Sequence, residues 1–588
     1  MAAVSSGAAS LFCEGPLLHA VQAMGVFKDS KTFVDMPAKA DPEHILKAFS
    51  QLAEDDKTSV QALTAFVATH FDDVGADLLP HSPTDFVVDL PFITTIRQPD
   101  MARWAAALHA LWPGLTRQVS PDVKANPQRH SLLHRANAVV VPGGRFRESY
   151  YWDSYWICKG LLVSGMAQTA QGVVQNLLDD VKTFGHVPNG GRLYYTQRTQ
   201  PPLLSDMVLD LVTATTAEGT TTGQQENGLA FLQEALPVLE QEYRFWMLQR
   251  SVTIAGHVLN RYWCDAAAAR PRPESYREDL ATSAGDSGVL AELTAAAESG
   301  WDFSSRWWLK GSSSDGTGDG GGGGGDGGGD AAAAHVGQLR DTQITRIVPV
   351  GLNAFLYRYE TNLAHFCTLL GSPDDGTTYG TAAEARAAAM LNLMWDETAS
   401  LWRDLVLPPA ADDASTRTTA FVGCTQSEHV TAACFVPLWA GEVFRREATV
   451  AALLSSGLLD GGGGVMMTSL VASGQQWDMP VSWPPLQWLI VEGLRATVGG
   501  KELADKLALE WLRSAHQAWA ETGFMHEKLD GQRTGGVGKG GEYEPQVGFG
   551  WTNGVALDWL KRYYSDSAAA AASPSLESSV KEACAAGC

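Results

Sequence analysis

Through long stretches of this chain apolar residues recur at i, i+3, i+4 and i+7, the spacing that places them on one face of an α-helix. "EHILKAFSQLAEDD" from Glu43, "LAFLQEALPVLEQEYRFWML" ending at Leu248, "LNAFLYRYETNLAHFCTLLG" ending at Gly371 and "ELADKLALEWLRSAHQAWAE" ending at Glu521 all carry it. The period-two alternation of half-buried strands is scarce. The pattern predicts a mainly α protein, with helices of about 12 to 20 residues joined by loops.

Two stretches break the pattern: "GSSSDGTGDGGGGGGDGGGDAAAA" from Gly311 to Ala334, and an Ala/Ser-rich tail from about Ser565 to Cys588. Glycine-rich chain loses much entropy on ordering and offers no side chains to pack, so both are expected to be disordered. Helical patterning resumes after the first, which therefore reads as a loop insertion rather than a domain boundary. Residues 1–14 are also expected to be disordered.

The loops between helices are unusual. Solvent loops favour Gly, Pro, Asn, Asp and Ser. Here "PGGRFRESYYWDSYW" (Pro142 to Trp156), "GHVPNGGRLYYTQRTQPP" (from Gly185), "RPRPESYREDL" (from Arg270), "ESGWDFSSRWW" (from Glu298), "QQWDMPVSWPPLQW" (from Gln475) and "HEKLDGQRTGGVGKGGEYEPQVGFGWTNG" (from His526) add Trp, Tyr, Arg and Glu. Burying so many ionisable groups unpaired costs several kcal/mol each, so such loops sit in solvent or line a site. One shared odd composition suggests one shared site.

Sugars suit it. Their C–H faces stack on aromatic rings, and their hydroxyls take dense hydrogen bonding from Arg, Asn, Gln, Asp and Glu. Cleaving a glycosidic bond needs two carboxyls besides, one protonated and one ionised. Asp153, Glu274, Asp302, Asp478, Glu527 and Glu542 are all candidates, and spacing in sequence does not choose between them.

Other chemistries fit poorly. A net charge of −23 and a pI of about 5.0 have the wrong sign for neutralising phosphates, so nucleic acid is not an expected partner. The eight cysteines include no CxxC pair and there is no HExxH, so no metal is expected. "GGVGKGG" (Gly535 to Gly541) is not a phosphate loop, since Gly540 follows Lys539 where Ser or Thr is needed; a lid over a substrate explains it better. With no long apolar run and no signal-peptide pattern, a cytoplasmic protein without stable membrane association is expected.

"PGGRFRESYYWDSYW" and "QWDMPVSWPP" resemble the two signature segments of the trehalases, glycoside hydrolase family 37, and "GGEYEPQVGFGWTNG" resembles that family's glycine-rich segment. "GPLLHAVQ", "DSKTFVDMP" and "VVDLPFI" extend the resemblance over Gly15 to Tyr564. It implies one catalytic domain over residues 15–564 with an all-α (α/α)6 toroid whose loops on one rim build the pocket. It further implies hydrolysis of α,α-trehalose to two glucose molecules with inversion and without a cofactor.

By the same resemblance the general acid falls on Asp302 and the general base on Glu527. Arg145, Trp152, Asp153, Asn189, Arg198, Gln200, Arg272 and Glu274 would contact sugar. Gly300 would offer backbone beside the acid, and Glu542 would close over the substrate. The arginines pose a difficulty, because positive charge lowers a carboxyl pKa while a general acid needs a raised one. The expectation is that they bind sugar hydroxyls and hold the other acidic residues, leaving Asp302 protonated by desolvation and by a neighbouring carboxylate.

The chain departs from the family pattern at Ser482, where a smaller residue is usual, at Leu529, where Tyr is usual, and at Gly351, where Asp is usual. Two other readings stand beside trehalose hydrolysis: a different inverting glucosidase on the same toroid, and a catalytically inactive trehalose-binding sensor. Retention of both Asp302 and Glu527 weighs against the sensor.

Overall fold

The computed structural model describes residues 6–216, 221–266, 268–309, 339–409, 420–468 and 473–565. The Gly311 to Ala334 insertion and the tail beyond Ser565 lie outside them.

Among the described residues two kinds of helix alternate along the chain. One kind buries a stripe and exposes the rest: α1 (Pro99–His109), α3 (Ala167–Phe184), α5 (Thr222–Gln249), α7 (Pro373–Leu393), α9 (Arg446–Ser455) and α11 (Lys501–Thr522). The other kind is buried over most of its surface: α2 (Asp153–Val163), α4 (Leu204–Thr216), α6 (Val350–Leu369), α8 (Pro437–Ala440, continuing a 3₁₀ turn at Ala432–Phe435), α10 (Pro484–Arg495) and α12 (Gly550–Tyr564). A helix apolar on all sides must be surrounded by other elements, whereas an amphipathic one covers a core with one face. The first kind therefore forms an outer ring and the second an inner one.

The contacts close the inner ring. α2 packs on α4, α4 on α6, α6 on α8, α8 on α10, α10 on α12, and α12 back on α2. Each outer helix lies against an inner helix adjacent to it in sequence, except that α1 packs on α12. The fold is an all-α (α/α)6 toroid. The closing contact is close: a Cβ on Gly554 of α12 would stand 1.9 Å from the carbonyl oxygen of Trp156, and one on Gly160 of α2 would stand 2.7 Å from the Cα of Gly554. Side chains at either position would push the helices apart, at a cost of about 1–3 kcal/mol or more.

The four helical stretches predicted from periodicity all appear, with one break. Glu43 to Asp56 splits into Pro42–Ser50 and Glu54–Lys57. Inner-to-outer connections are short, as at residues 164–166, 370–372 and 496–500. Outer-to-inner connections are long, and because neighbouring helices run antiparallel they all emerge at one rim, at the N-terminal ends of the inner helices. Short strands decorate them, such as the hairpin Ser251–Ile254 with His257–Asn260.

The expectation of a disordered N-terminus fails for residues 6–14. Ser6–Phe12 is helical, and Leu11 and Phe12 are fully buried in a second core with Leu17, Leu18, Phe33 and Phe71. Two large apolar side chains sufficed, because the surface that covers them comes from elsewhere in the chain. No helix among the described residues is long and apolar enough to cross a membrane.

Candidate active site

All of the site residues that the family resemblance implies meet in one cavity at the long-loop rim. Arg145, Trp152 and Asp153 arrive on the connection into α2, and Asn189, Arg198 and Gln200 on that into α4. Arg272, Glu274, Gly300 and Asp302 come from the connection into α6, and Glu527 and Glu542 from that into α12. Asp478 does not line it. Its carboxylate accepts from Ser304 Oγ at 2.6 Å and from the backbone N–H of Ser305 at 2.8 Å, so it ties two loops together.

The loop bearing Asp302 is stapled on both sides. Gly300 has φ of 73°, and a Cβ there would stand 2.9 Å from the indole of Trp152; only glycine permits both. Gln476 donates to the carbonyl of Asp302, and the N–H of Trp477 donates to that of Phe303 at 3.0 Å. The Asp302 side chain forms no ion pair among the described residues. Burial pushes its pKa up to about 6 against the opposing pull of Arg272 and Arg198, with Glu274 assisting.

The arginines are matched elsewhere. Arg272 binds Asp279 through two nitrogens, at 2.7 and 3.0 Å, and reaches Glu542 at 3.2 Å. Arg198 pairs with Glu274 at 2.5 Å and donates to Asn189 Oδ1 at 2.6 Å. Arg145 grips Asp29 at 2.8 and 2.7 Å while its guanidinium lies 4.7 Å from the ring of Tyr543. Burial would raise Glu274, but Arg198 and Arg272 outweigh it and hold its pKa below the usual value. Its Oε2 is buried without a partner, leaving an acceptor for a ligand hydroxyl.

Glu527 is fully buried and its pKa is raised by burial, moderated by Lys528 and by two donors. Tyr543 gives its hydroxyl to Oε1 at 2.8 Å, and the backbone N–H of Gln546 reaches Oε2 at 3.1 Å. Asp153, at the start of α2, has no ion-pair partner among the described residues and is pushed up by burial and by the nearby carboxylates of Glu527 and Asp302. Glu542 rises to about 7, from burial first and Asp279 and Asp302 after, despite Arg272.

Sequence reasoning marked the loops but missed several of the cavity's residues. Trp477 and Trp483 stack with centroids 4.1 Å apart and planes at 3°, forming an apolar wall with Trp152 and Trp551. Lys528, next to Glu527, is completely buried with its pKa lowered by burial to about 8. Its ammonium donates to Gln476 Oε1 at 3.2 Å and to the Gly540 carbonyl at 2.9 Å. Lys31 and Tyr543 also face the cavity. Among the described residues no group of His, Cys, Asp and Glu is arranged to hold a metal ion.

A toroid of paired helices whose rim cradles buried carboxyls against an aromatic wall defines a helical-barrel glycoside hydrolase. The trehalase family model matches residues 25–319 and 330–564, and this chain belongs to that family. It is 38% identical to the trehalase of Homo sapiens over 569 residues, covering 94% of this chain and 89% of the other. With that of Arabidopsis thaliana it shares 36%, over 91% and 82% of the two chains. The neutral trehalase of Saccharomyces cerevisiae superposes with a TM-score of 0.54 over 73% of each chain, at 22% identity, which shows the shared fold.

Proposed function

We propose that this chain hydrolyses α,α-trehalose to two glucose molecules with inversion at one anomeric carbon. Asp302 gives its proton to the bridging oxygen as the glycosidic C–O bond breaks. Glu527 takes a proton from a water molecule whose oxygen attacks the same anomeric carbon from the opposite face. The attacked ring leaves as β-glucose and the departing one as α-glucose. Asp153, Asn189, Gln200 and the free oxygen of Glu274 hold sugar hydroxyls, and the tryptophan wall takes the C–H faces.

The observation that carries this reading is the unequal treatment of the buried carboxyls. Every arginine of the cavity is matched to Asp29, Glu274, Asp279 or Glu542, while among the described residues Asp302, like Asp153, has no ion-pair partner and rises to about 6. That is the state a general acid needs. Anomeric protons of the products, followed by NMR from the first minute, test it beside Asp302→Asn and Glu527→Gln. Equal early α- and β-glucose, lost in both variants, is expected. Trehalose that binds but yields no glucose would overturn the reading in favour of a binding protein.

A further inference from the structure

We propose that Tyr543 is a positioning residue: carried on the glycine-rich loop that roofs the cavity, its hydroxyl fixes the carboxylate of Glu527, so that the base becomes fully oriented only when the loop is closed. The inference rests on Glu527 being the base and adds the group that prepares it.

Three contacts place Tyr543 there. Its hydroxyl lies 2.8 Å from Oε1 of Glu527 while the N–H of Gln546, on the same loop, holds Oε2 at 3.1 Å. Both carboxylate oxygens are thereby pinned by one loop rather than by the barrel. The tyrosine ring is itself held, by the guanidinium of Arg145 at 4.7 Å and by an edge-to-face contact with Phe146 at 5.3 Å. The loop closes the circuit at Gly144 and Arg145, where Gln546 Oε1 accepts the N–H of Arg145 at 2.8 Å.

A donor on each oxygen favours the ionised form of a carboxylate. The other charges around Glu527 are Lys528 beside it, Arg145 on the connection into α2, and the carboxyls of Asp153 and Asp302 across the cavity. The first two favour ionisation and the last two oppose it. None of these groups changes when only the Tyr543 hydroxyl is removed, so the experiment isolates one donor.

Tyr543→Phe in the full-length protein keeps the ring contacts and deletes the bond. With trehalose as substrate the acid limb of the kcat profile is expected to move up by about one pH unit, since losing a bond to the charged form raises the base's pKa. kcat on that limb falls about tenfold, with KM moving less. Tyr543→Ala also removes the ring and raises KM. A phenylalanine variant that loses kcat evenly across pH, with an unmoved acid limb, would show a merely structural tyrosine and overturn the inference. Glu527→Gln, measured alongside, separates the two claims: if it retains activity, the base assignment falls first and this inference with it.

Discussion

Glu148 and Asp153 lie in the same stretch, "RESYYWD", and both are buried, yet their carboxyls are driven in opposite directions. Burial pushes Glu148 up, but Lys31 at 2.7 Å and Arg192 at 3.0 Å outweigh it and hold its pKa down at about 2. Those cations also meet Asp35, at 2.7 and 3.1 Å, in a cluster joining the N-terminal helices to the toroid. Asp153 and Asp302 have no such partners, and burial leaves both raised. The difference teaches that this chain uses cations to make Glu148 structural and withholds them from Asp153 and Asp302, while Glu274 and Glu542 in the same cavity lining are paired with arginines.

The largest expected effect comes from erasing the withheld case. Asp302→Asn should cut kcat by about 10²- to 10⁴-fold, the range for losing a general acid. It should also stabilise the fold. A carboxyl raised from 3.8 to about 6 favours unfolding increasingly as pH rises through that interval, worth up to about 3 kcal/mol at neutral pH. Urea denaturation at pH 7 would reveal it, and an unchanged or lower stability would count against a strained Asp302.

Erasing the paired case should act the other way. Glu148→Gln leaves Lys31 and Arg192 partly unmatched in a buried site, where breaking such pairs costs about 3–5 kcal/mol; the same denaturation assay reads it. The pH dependence sharpens the contrast. Glu148, depressed from 4.5 to about 2, contributes stability that is present above pH 4.5 and lost as pH falls toward 2, up to about 3 kcal/mol. Turnover should instead decline as pH rises above about 6, as Asp302 loses its proton, which a pH–rate profile checks. The smallest effect is expected from Lys28→Ala. Its pair with Glu544, at 3.1 Å, is almost wholly exposed, so thermal melting should not move measurably.

Much of this was legible beforehand, for identifiable reasons. Helix periodicity is local, so α5, α6 and α11 could be read directly. The residues carried over by family resemblance all reached one cavity, because each sits in a loop whose composition already set it apart. Lys528 and Gln476 could not be picked out. Their hydrogen bond joins residues far apart in sequence, and nothing in "HEKLD" shows that its lysine would be buried between two loops. Asp478 had the composition of a site residue but serves as a tie, since Ser304 and Ser305 satisfy it. The departures at Ser482 and Leu529 face each other across a two-residue strand pair, a relation no linear reading would show. Gly351 sits at the start of α6, where a Cβ would meet only Ala433 and Val436 at 3.9 Å.

The closure of the inner ring has a bearing on how the molecule is made. α2 is completed early in synthesis and α12 late, and the cavity wall takes Trp152 from the threshold of one and Trp551 from the other. Such a distant contact carries a loop-closure cost and forms late in folding. A chain cut before Gly550 therefore holds Asp302 and Glu527 without the wall that Trp551 completes, and the seam between the first and last inner helices is where the pocket is finished.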